Sequence, residues 1–235
     1  MSASATSSHS SVAPRQIVLA GNPNSGKTTL FNALTGLRGK VGNYPGVTVE
    51  RKEGRLLNSS KDAPVIVLDL PGTYSLSPQS LDEQVSRDVL FHRLPGVPAP
   101  DLVVLVVDAS NLQRNLYFAT QVIELGYPTI VALNMIDVAV QREWRIDAAK
   151  LSDLLGVVVV QTQAVTADTN RLVVVSGAGP AATGGKAAST PTALAAALQA
   201  WIDQPERVQD MRHKFTMLHD SLSQDTSTLA THAIE

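Results

Sequence analysis

The stretch Gly21-Asn22-Pro23-Asn24-Ser25-Gly26-Lys27-Thr28 constrains the fold more than any other part of the chain. It matches G-x-x-x-x-G-K-[ST], a loop whose backbone N–H groups cradle phosphate oxygens. Its flanks agree. Gln16 to Ala20 (QIVLA) is a short apolar run that reads as a buried strand, and Thr28 to Leu34 (TTLFNAL) reads as the opening of a helix. Strand, glycine-bounded turn and helix N-terminus make an anion site, to which the helix dipole adds partial positive charge. Lys27 would reach the β- and γ-phosphates of a nucleotide, and the Thr28 hydroxyl would ligate Mg2+. Asn22, Pro23, Asn24, Ser25, Gly26 and Thr29 would complete the phosphate-facing loop.

Two further motifs follow in order. Asn134-Met135-Ile136-Asp137 comes directly after the apolar run Thr129 to Leu133, the fifth predicted strand. Open parallel sheets bind ligands at that carboxyl edge. Asp137 can accept both the N1–H and the exocyclic amino group of guanine. Adenine lacks that donor pair, and a site built on such groups discriminates by ~10⁴-fold or more. Asn134 would tie the base loop to the phosphate loop. Met135 stands where such loops usually carry Lys, and its thioether stem can still cover the base. Between the two motifs, Asp69-Leu70-Pro71-Gly72 ends the run Val65 to Leu68. Asp69 would hold Mg2+ through water, and the Gly72 N–H would sense the γ-phosphate. Phosphate loop, D-x-x-G and N-x-x-D, each after an apolar run, is the layout of a GTPase. GTP and GDP with Mg2+ are therefore the expected ligands.

The rest of the chain is consistent with that layout. Strands are predicted at 16–20, 50–57, 64–69, 102–107, 129–134 and 157–161, and helices at 27–35, 81–93, 112–125, 147–155 and 191–202. Their alternation implies an α/β fold with a mostly parallel, doubly wound sheet and helices on both faces. The segments 50–57 and 64–69 read as an antiparallel hairpin at the sheet's edge. Aromatic residues are only 4% of the chain, so the core must be built from Val, Leu, Ile and Ala, as strands buried on both faces prefer. A net charge of -2 without a long basic run argues against nucleic acid as a partner. Cysteine is absent, which removes disulfides and thiolate metal sites. No apolar stretch approaches the ~20 residues of a spanning helix, and the Ser-rich N-terminus predicts no signal peptide.

Domain boundaries follow from composition. Residues 1–14 are Ser/Ala-rich and read as disordered. Residues 15–203 read as the nucleotide-binding domain, with an Ala/Gly/Ser/Thr-rich insert at about 164–190. Within the insert, Arg171 to Val175 fits either a strand or a mobile segment. Residues 204–235 read as a helical extension too short for an independent bundle.

The segments Val41 to Gly54 (VGNYPGVTVERKEG), Asp69 to Pro78 (DLPGTYSLSP), Val107 to Tyr117 (VDASNLQRNLY) and Ala132 to Asp137 (ALNMID) resemble the N-terminal GTPase domain of the bacterial ferrous iron transporter family FeoB. The resemblance covers roughly residues 14 to 160. It implies GTP hydrolysis that powers or gates ferrous iron uptake. It also implies a helical domain and a membrane-spanning permease further along the same polypeptide, and a place on the cytoplasmic face of the inner membrane. A small accessory iron-transport protein and a homo-oligomer are further partners compatible with it. The chain departs from the family where a Ser-Ala or Ser-Thr pair should offer a backbone N–H to guanine O6. Gln163-Ala164-Val165 aligns there, and Ser176-Gly177-Ala178 competes for the role. Loss of the usual pair implies weak affinity and fast nucleotide release. His9, His92, His213, His219 and His232 give no ligand spacing, so no iron site is assigned.

The resemblance makes Thr48 the switch I residue, its hydroxyl on Mg2+ and its backbone near the γ-phosphate, with Gly46 and Val47 beside it. Thr73 occupies the position after Gly72 where many GTPases carry a water-orienting Gln. No arginine finger is evident in cis, because Arg51 and Arg55 read as solvated strand residues. In GTPases with G-x-P-N-x-G-K, an Asn like Asn24 binds an activating K+, and backbone carbonyls from Gly42 to Tyr44 would complete that cage. Two alternatives remain: a K+-dependent GTPase of ribosome or tRNA maturation, and a guanine-nucleotide switch without catalysis.

Overall fold

The apolar runs send alternate residues to opposite sides of one sheet, and that alternation builds two cores. The computed structural model describes residues 15–165 and 171–178. Eight strands lie in the order β2-β3-β4-β1-β5-β6-β7-β8. They are β1 (Arg15–Gly21), β2 (Gly39–Asn43), β3 (Glu50–Arg55), β4 (Val65–Asp69), β5 (Leu102–Asp108), β6 (Thr129–Asn134), β7 (Val158–Val165) and β8 (Arg171–Ala178). The central five, β4-β1-β5-β6-β7, are parallel. The outer pairings β2–β3, β3–β4 and β7–β8 are antiparallel. From β1, Ile17 and Leu19 pack beneath α1 (Lys27–Thr35) with Leu30, Phe31 and Leu34. Val18 and Ala20 face the opposite side. There they meet α2 (Leu81–Leu90), α3 (Leu112–Ile123), α4 (Ile136–Gln141) and α5 (Ala148–Leu155), through residues such as Val85, Phe118, Ala139 and Leu151. Period-two burial of Val, Leu and Ile from strands covered on both faces is what a parallel sheet requires.

The sheet is the mostly parallel, helix-covered one expected, with differences at its margins. The 50–57/64–69 pair is antiparallel but does not form the edge. The Gly39–Asn43 strand lies outside it, paired with β3 and exposed along its whole length. Gly-Lys-Val-Gly-Asn carries no apolar alternation, so only the pairing makes it a strand. The helix predicted over 81–93 ends at Leu90, because His92 adopts a left-handed φ of 51° and Pro95 follows. The Arg171–Val175 run is strand, antiparallel to β7, with a register irregularity between Gln161 and Thr162. The expectations for 1–14, the helix at 191–202 and the 204–235 extension fall outside the described residues.

Candidate functional site

The phosphate loop leaves β1 at Gly21, in the middle of the sheet, and enters α1 at Lys27. Gly26 is the N-cap, with φ 93°, and no side chain caps the helix. The first N–H groups of α1 therefore have no intrahelical or side-chain acceptor. By contrast, Ser80 caps α2 and Asp147 caps α5. A Cβ on Gly26 would run into the Asn134 carboxamide nitrogen, so the loop and the end of β6 are in contact there. Asn134 Nδ2 donates to the Ser25 carbonyl at 3.0 Å across 109 residues of sequence. The Ser25 Oγ is buried without a partner, and Asn24 is exposed at the rim with a left-handed φ of 63°.

Lys27 is buried, and its ammonium donates to the Asn22 carbonyl at 3.1 Å. Burial pulls its pKa below the ordinary lysine value, and the nearby Asp69 charge partly opposes this. The Thr28 hydroxyl donates to Asp69 Oδ2 at 3.4 Å. Asp69 Oδ1 is buried without a partner. Burial pushes the Asp69 carboxyl above its ordinary value, against the pull of Lys27, Lys52 and the Thr28 hydrogen bond. A buried carboxylate with an idle oxygen, next to a threonine hydroxyl and a buried ammonium, suits a divalent cation and an oxyanion. The hard oxygen donors fit Mg2+.

Gly72 closes the site from the β4 side. A Cβ there would lie 2.8 Å from both the Cα and the nitrogen of Pro23, so only glycine lets the two loops approach this closely. The next residue, Thr73, is buried, its N–H on the Gly21 carbonyl at 3.3 Å and its hydroxyl on the Ser75 carbonyl at 2.9 Å. The loop on either side of Thr73 is held by two helices. Gln121 of α3 accepts from the Leu76 N–H at 2.8 Å, and the Ser86 hydroxyl of α2 donates to the Pro71 carbonyl at 2.8 Å. The Arg114 guanidinium lies 3.9 Å from the Tyr74 ring centre, while the Arg114 carbonyl accepts from Asn22 Nδ2 at 3.4 Å. One turn of α3 thus touches both the phosphate loop and the D-x-x-G loop.

Thr48 is not brought to this cluster. Tyr44-Pro45-Gly46-Val47 forms the turn between β2 and β3, with the Val47 N–H on the Tyr44 carbonyl at 3.3 Å and Gly46 at φ 78°. Pro then Gly is the sequence such a turn asks for. Thr48 is exposed on this hairpin, with no hydrogen bond to Thr28 or Asp69 among the described residues. The Tyr44 ring is buried in the core and pins the turn. Its hydroxyl lacks a partner, and burial raises its pKa. Gly42 pairs in the ladder with Arg51, and the Tyr44 carbonyl is engaged by Val47, so neither is joined to Asn24. Arg51 is not a freely solvated residue: it pairs with Glu53 at 2.7 Å and lies half-buried near the Tyr44 ring.

Asp137 lies in the first turn of α4, half-buried, just after Met135 with its left-handed φ of 59°. Neither candidate for the last guanine loop is a loop. Gln163–Val165 is strand paired with Arg171–Val173, and Ser176–Ala178 is strand in β8. The chain continues in the ladder where the resemblance expects it to turn, because Arg171–Val173 supplies a partner strand. A residue not picked out from the sequence stands beside Asn134. Thr162, buried on β7, places its hydroxyl 3.3 Å from Asn134 Oδ1 and 3.4 Å from the Leu133 carbonyl. A lone strand threonine carries no motif, but the parallel pairing of two recognisable apolar runs points to it.

A family model described as ferrous iron transport protein B matches residues 15–174. The Fe(2+) transporter FeoB of Salmonella typhimurium is 54% identical over 144 residues, covering 61% of this chain and 18% of that protein. The Fe(2+) transporter FeoB of Escherichia coli K12 is 54% identical over 140 residues, again 18% of its length. The chain therefore spans under a fifth of the curated relatives it matches. Among solved structures, an S. thermophilus NFeoB mutant bound to GDP is 51% identical with a TM-score of 0.57, covering 63% of this chain and 55% of that one. The cytosolic domain of T. maritima FeoB in its GMPPNP form is 42% identical with a TM-score of 0.58, over 66% and 59%. An S. thermophilus NFeoB mutant bound to GDP.AlF4- is 50% identical with a TM-score of 0.54, over 63% and 56%.

Proposed function

The chain belongs to the ferrous iron transport protein B family, and from that premise we propose that it binds and hydrolyses GTP to power or gate ferrous iron uptake. The observation that carries the reading is the convergence of three separate motifs on one sheet edge. Thr28 is bonded to Asp69, Asn134 to Ser25, and Gly72 is pressed against Pro23. Lys27 and the uncapped N–H groups of α1 bind the β- and γ-phosphates. Asp137 accepts from the guanine edge, and a backbone N–H near residues 163–165 serves O6. Mg2+ would be held by Thr28, Asp69 through water and, once the hairpin loop moves inward, Thr48; it supplies charge neutralisation at the phosphates. The Gly72 N–H orients the γ-phosphate. The membrane permease is the remainder of a longer polypeptide, and the described residues contain no helix long and apolar enough to cross a membrane.

Activation by K+ is part of this reading. The exposed Asn24 carboxamide supplies one ligand, and release of the Tyr44 carbonyl from Val47 supplies another. GTP turnover should be faster in KCl than in NaCl at matched ionic strength, which removes general screening as the cause. Asn24→Ala should erase the difference. Equal rates in both salts would leave Asn24 a loop residue. One observation favours a switch without catalysis: Thr73 turns its hydroxyl inward to Ser75 and offers nothing to an attacking water. Phosphate release from GTP, measured against a Lys27→Ala control, decides. Turnover no greater than the control makes the chain a switch.

A further inference from the structure

We infer that Arg114 is a positioning residue for the γ-phosphate, clamping the phosphate loop and the D-x-x-G loop on either side of their closest approach. The inference rests on the guanine-nucleotide reading above and adds to it a residue that lies outside all three motifs. The closest approach is the contact of Gly72 with Pro23, where a Cβ would lie 2.8 Å from the Pro23 backbone. Asn22 directly precedes Pro23, and Tyr74 stands two residues beyond Gly72. Arg114, in the first turn of α3, holds both. Its carbonyl accepts from Asn22 Nδ2 at 3.4 Å, and its guanidinium lies 3.9 Å from the Tyr74 ring centre. The Asn22 carbonyl in turn accepts from the Lys27 ammonium at 3.1 Å. A path of contacts therefore runs from Lys27 through Asn22 and Arg114 to the loop that carries Gly72. The two attachments of Arg114 differ in kind. The backbone one survives any substitution at this position, and the side-chain one does not. Among the described residues no carboxylate pairs with the Arg114 guanidinium, which leaves its flat face to the ring. The neighbouring tethers do not fix Tyr74 themselves. Thr73 and Leu76 donate to Gly21 and Gln121, but the Tyr74 N–H reaches Glu83 only at 3.5 Å. GDP lacks the group that Gly72 would meet, so loosening this loop should be felt by GTP alone.

The test is isothermal titration of the chain with GDP and with a non-hydrolysable GTP analogue, both in Mg2+. Tyr74 is 36% exposed and Arg114 is exposed, so the contact has the modest strength of a surface pair. Arg114→Met keeps a long, helix-favouring side chain and removes the charge. It should weaken the GTP analogue about threefold to fivefold and leave GDP within about 1.5-fold of wild type. Tyr74→Phe keeps the ring and should match wild type with both nucleotides, whereas Tyr74→Ala should behave like Arg114→Met. In the Tyr74→Ala background, Arg114→Met should change nothing further, because each variant removes the same contact. Equal weakening of GDP and the analogue by Arg114→Met would overturn the inference, since it marks a general structural role. An unchanged analogue affinity would do the same, as would a full further loss in the Tyr74→Ala background or a loss in Tyr74→Phe equal to that in Tyr74→Ala. Failure of the wild-type chain to bind either nucleotide would instead remove the nucleotide reading, and this inference with it.

Discussion

Asp69 is held for function against its own stability. Its pKa is raised by burial, so the ionised form weakens the fold; that loss is absent below the ordinary carboxylate value of 3.8 and sets in as pH rises through the raised value. Lys27 is the mirror case: burial pulls its pKa down against the pull of the Asp69 charge, so each group sits where burial disfavours its charged form. Without nucleotide or Mg2+, Asp69→Asn should therefore raise the melting temperature near neutral pH. The scale is about 2–4 °C per kcal/mol for a chain of this size. The gain should shrink as pH falls toward 4. Calorimetry of both proteins across pH checks it, and a lower melting temperature for the variant would contradict it. Lys27→Ala should abolish GTP-analogue binding by isothermal titration, since no other described cation lies on the loop. These residues are legible in the sequence because their motifs combine fixed spacing with scarce residue types. The contact of Thr162 with Asn134 is not, because it depends on a neighbour on another strand.

At the scale of elements, the D-x-x-G loop is strapped between α2 and α3. Ser80 and Glu83 open α2, with Ser80 accepting from the Glu83 N–H and the Glu83 carboxylate reaching back to accept from the Gln79 N–H at 2.8 Å. That Ser-x-x-Glu spacing is readable in the sequence. The closeness of Gly72 to Pro23 is not, because it depends on how two loops from different strands meet. Gly72→Ala should force them apart. GDP affinity should hold within about threefold while GTP turnover falls at least tenfold, a distance-sensitive loss of the kind expected where positioning is the catalysis. Parallel losses in GDP affinity and turnover would mean the glycine shapes the phosphate loop itself. The helices α1, α3 and α5 are legible from periodicity. The six-residue α4 is too short to show a period, and β2 is written only in its pairing with β3.

The described residues form a sheet whose parallel centre is buried on both faces and whose carboxyl edge gathers loops from β1, β4 and β6. Ligand binding should stabilise it as a unit. GDP with Mg2+ at a hundred times its Kd contributes about 2.7 kcal/mol, or roughly 5–10 °C in melting temperature at this size. ATP at the same concentration should produce no shift, and an equal shift with ATP would refute guanine selection. The alternation of apolar runs makes this architecture readable in advance, while the two antiparallel margins are not, since they depend on which distant backbone offers a free ladder. The outermost margin has its own consequence. Among the described residues the strand Gly39–Asn43 is fastened on one side only, and Thr48 follows the turn that leaves it. Its ladder to β3 can open locally while Tyr44 stays pinned in the core, and its amide hydrogens should trade with deuterium by that opening. A bound GTP analogue that draws Thr48 inward would be recorded there as slowed exchange, making this short ribbon a built-in clock for the nucleotide cycle.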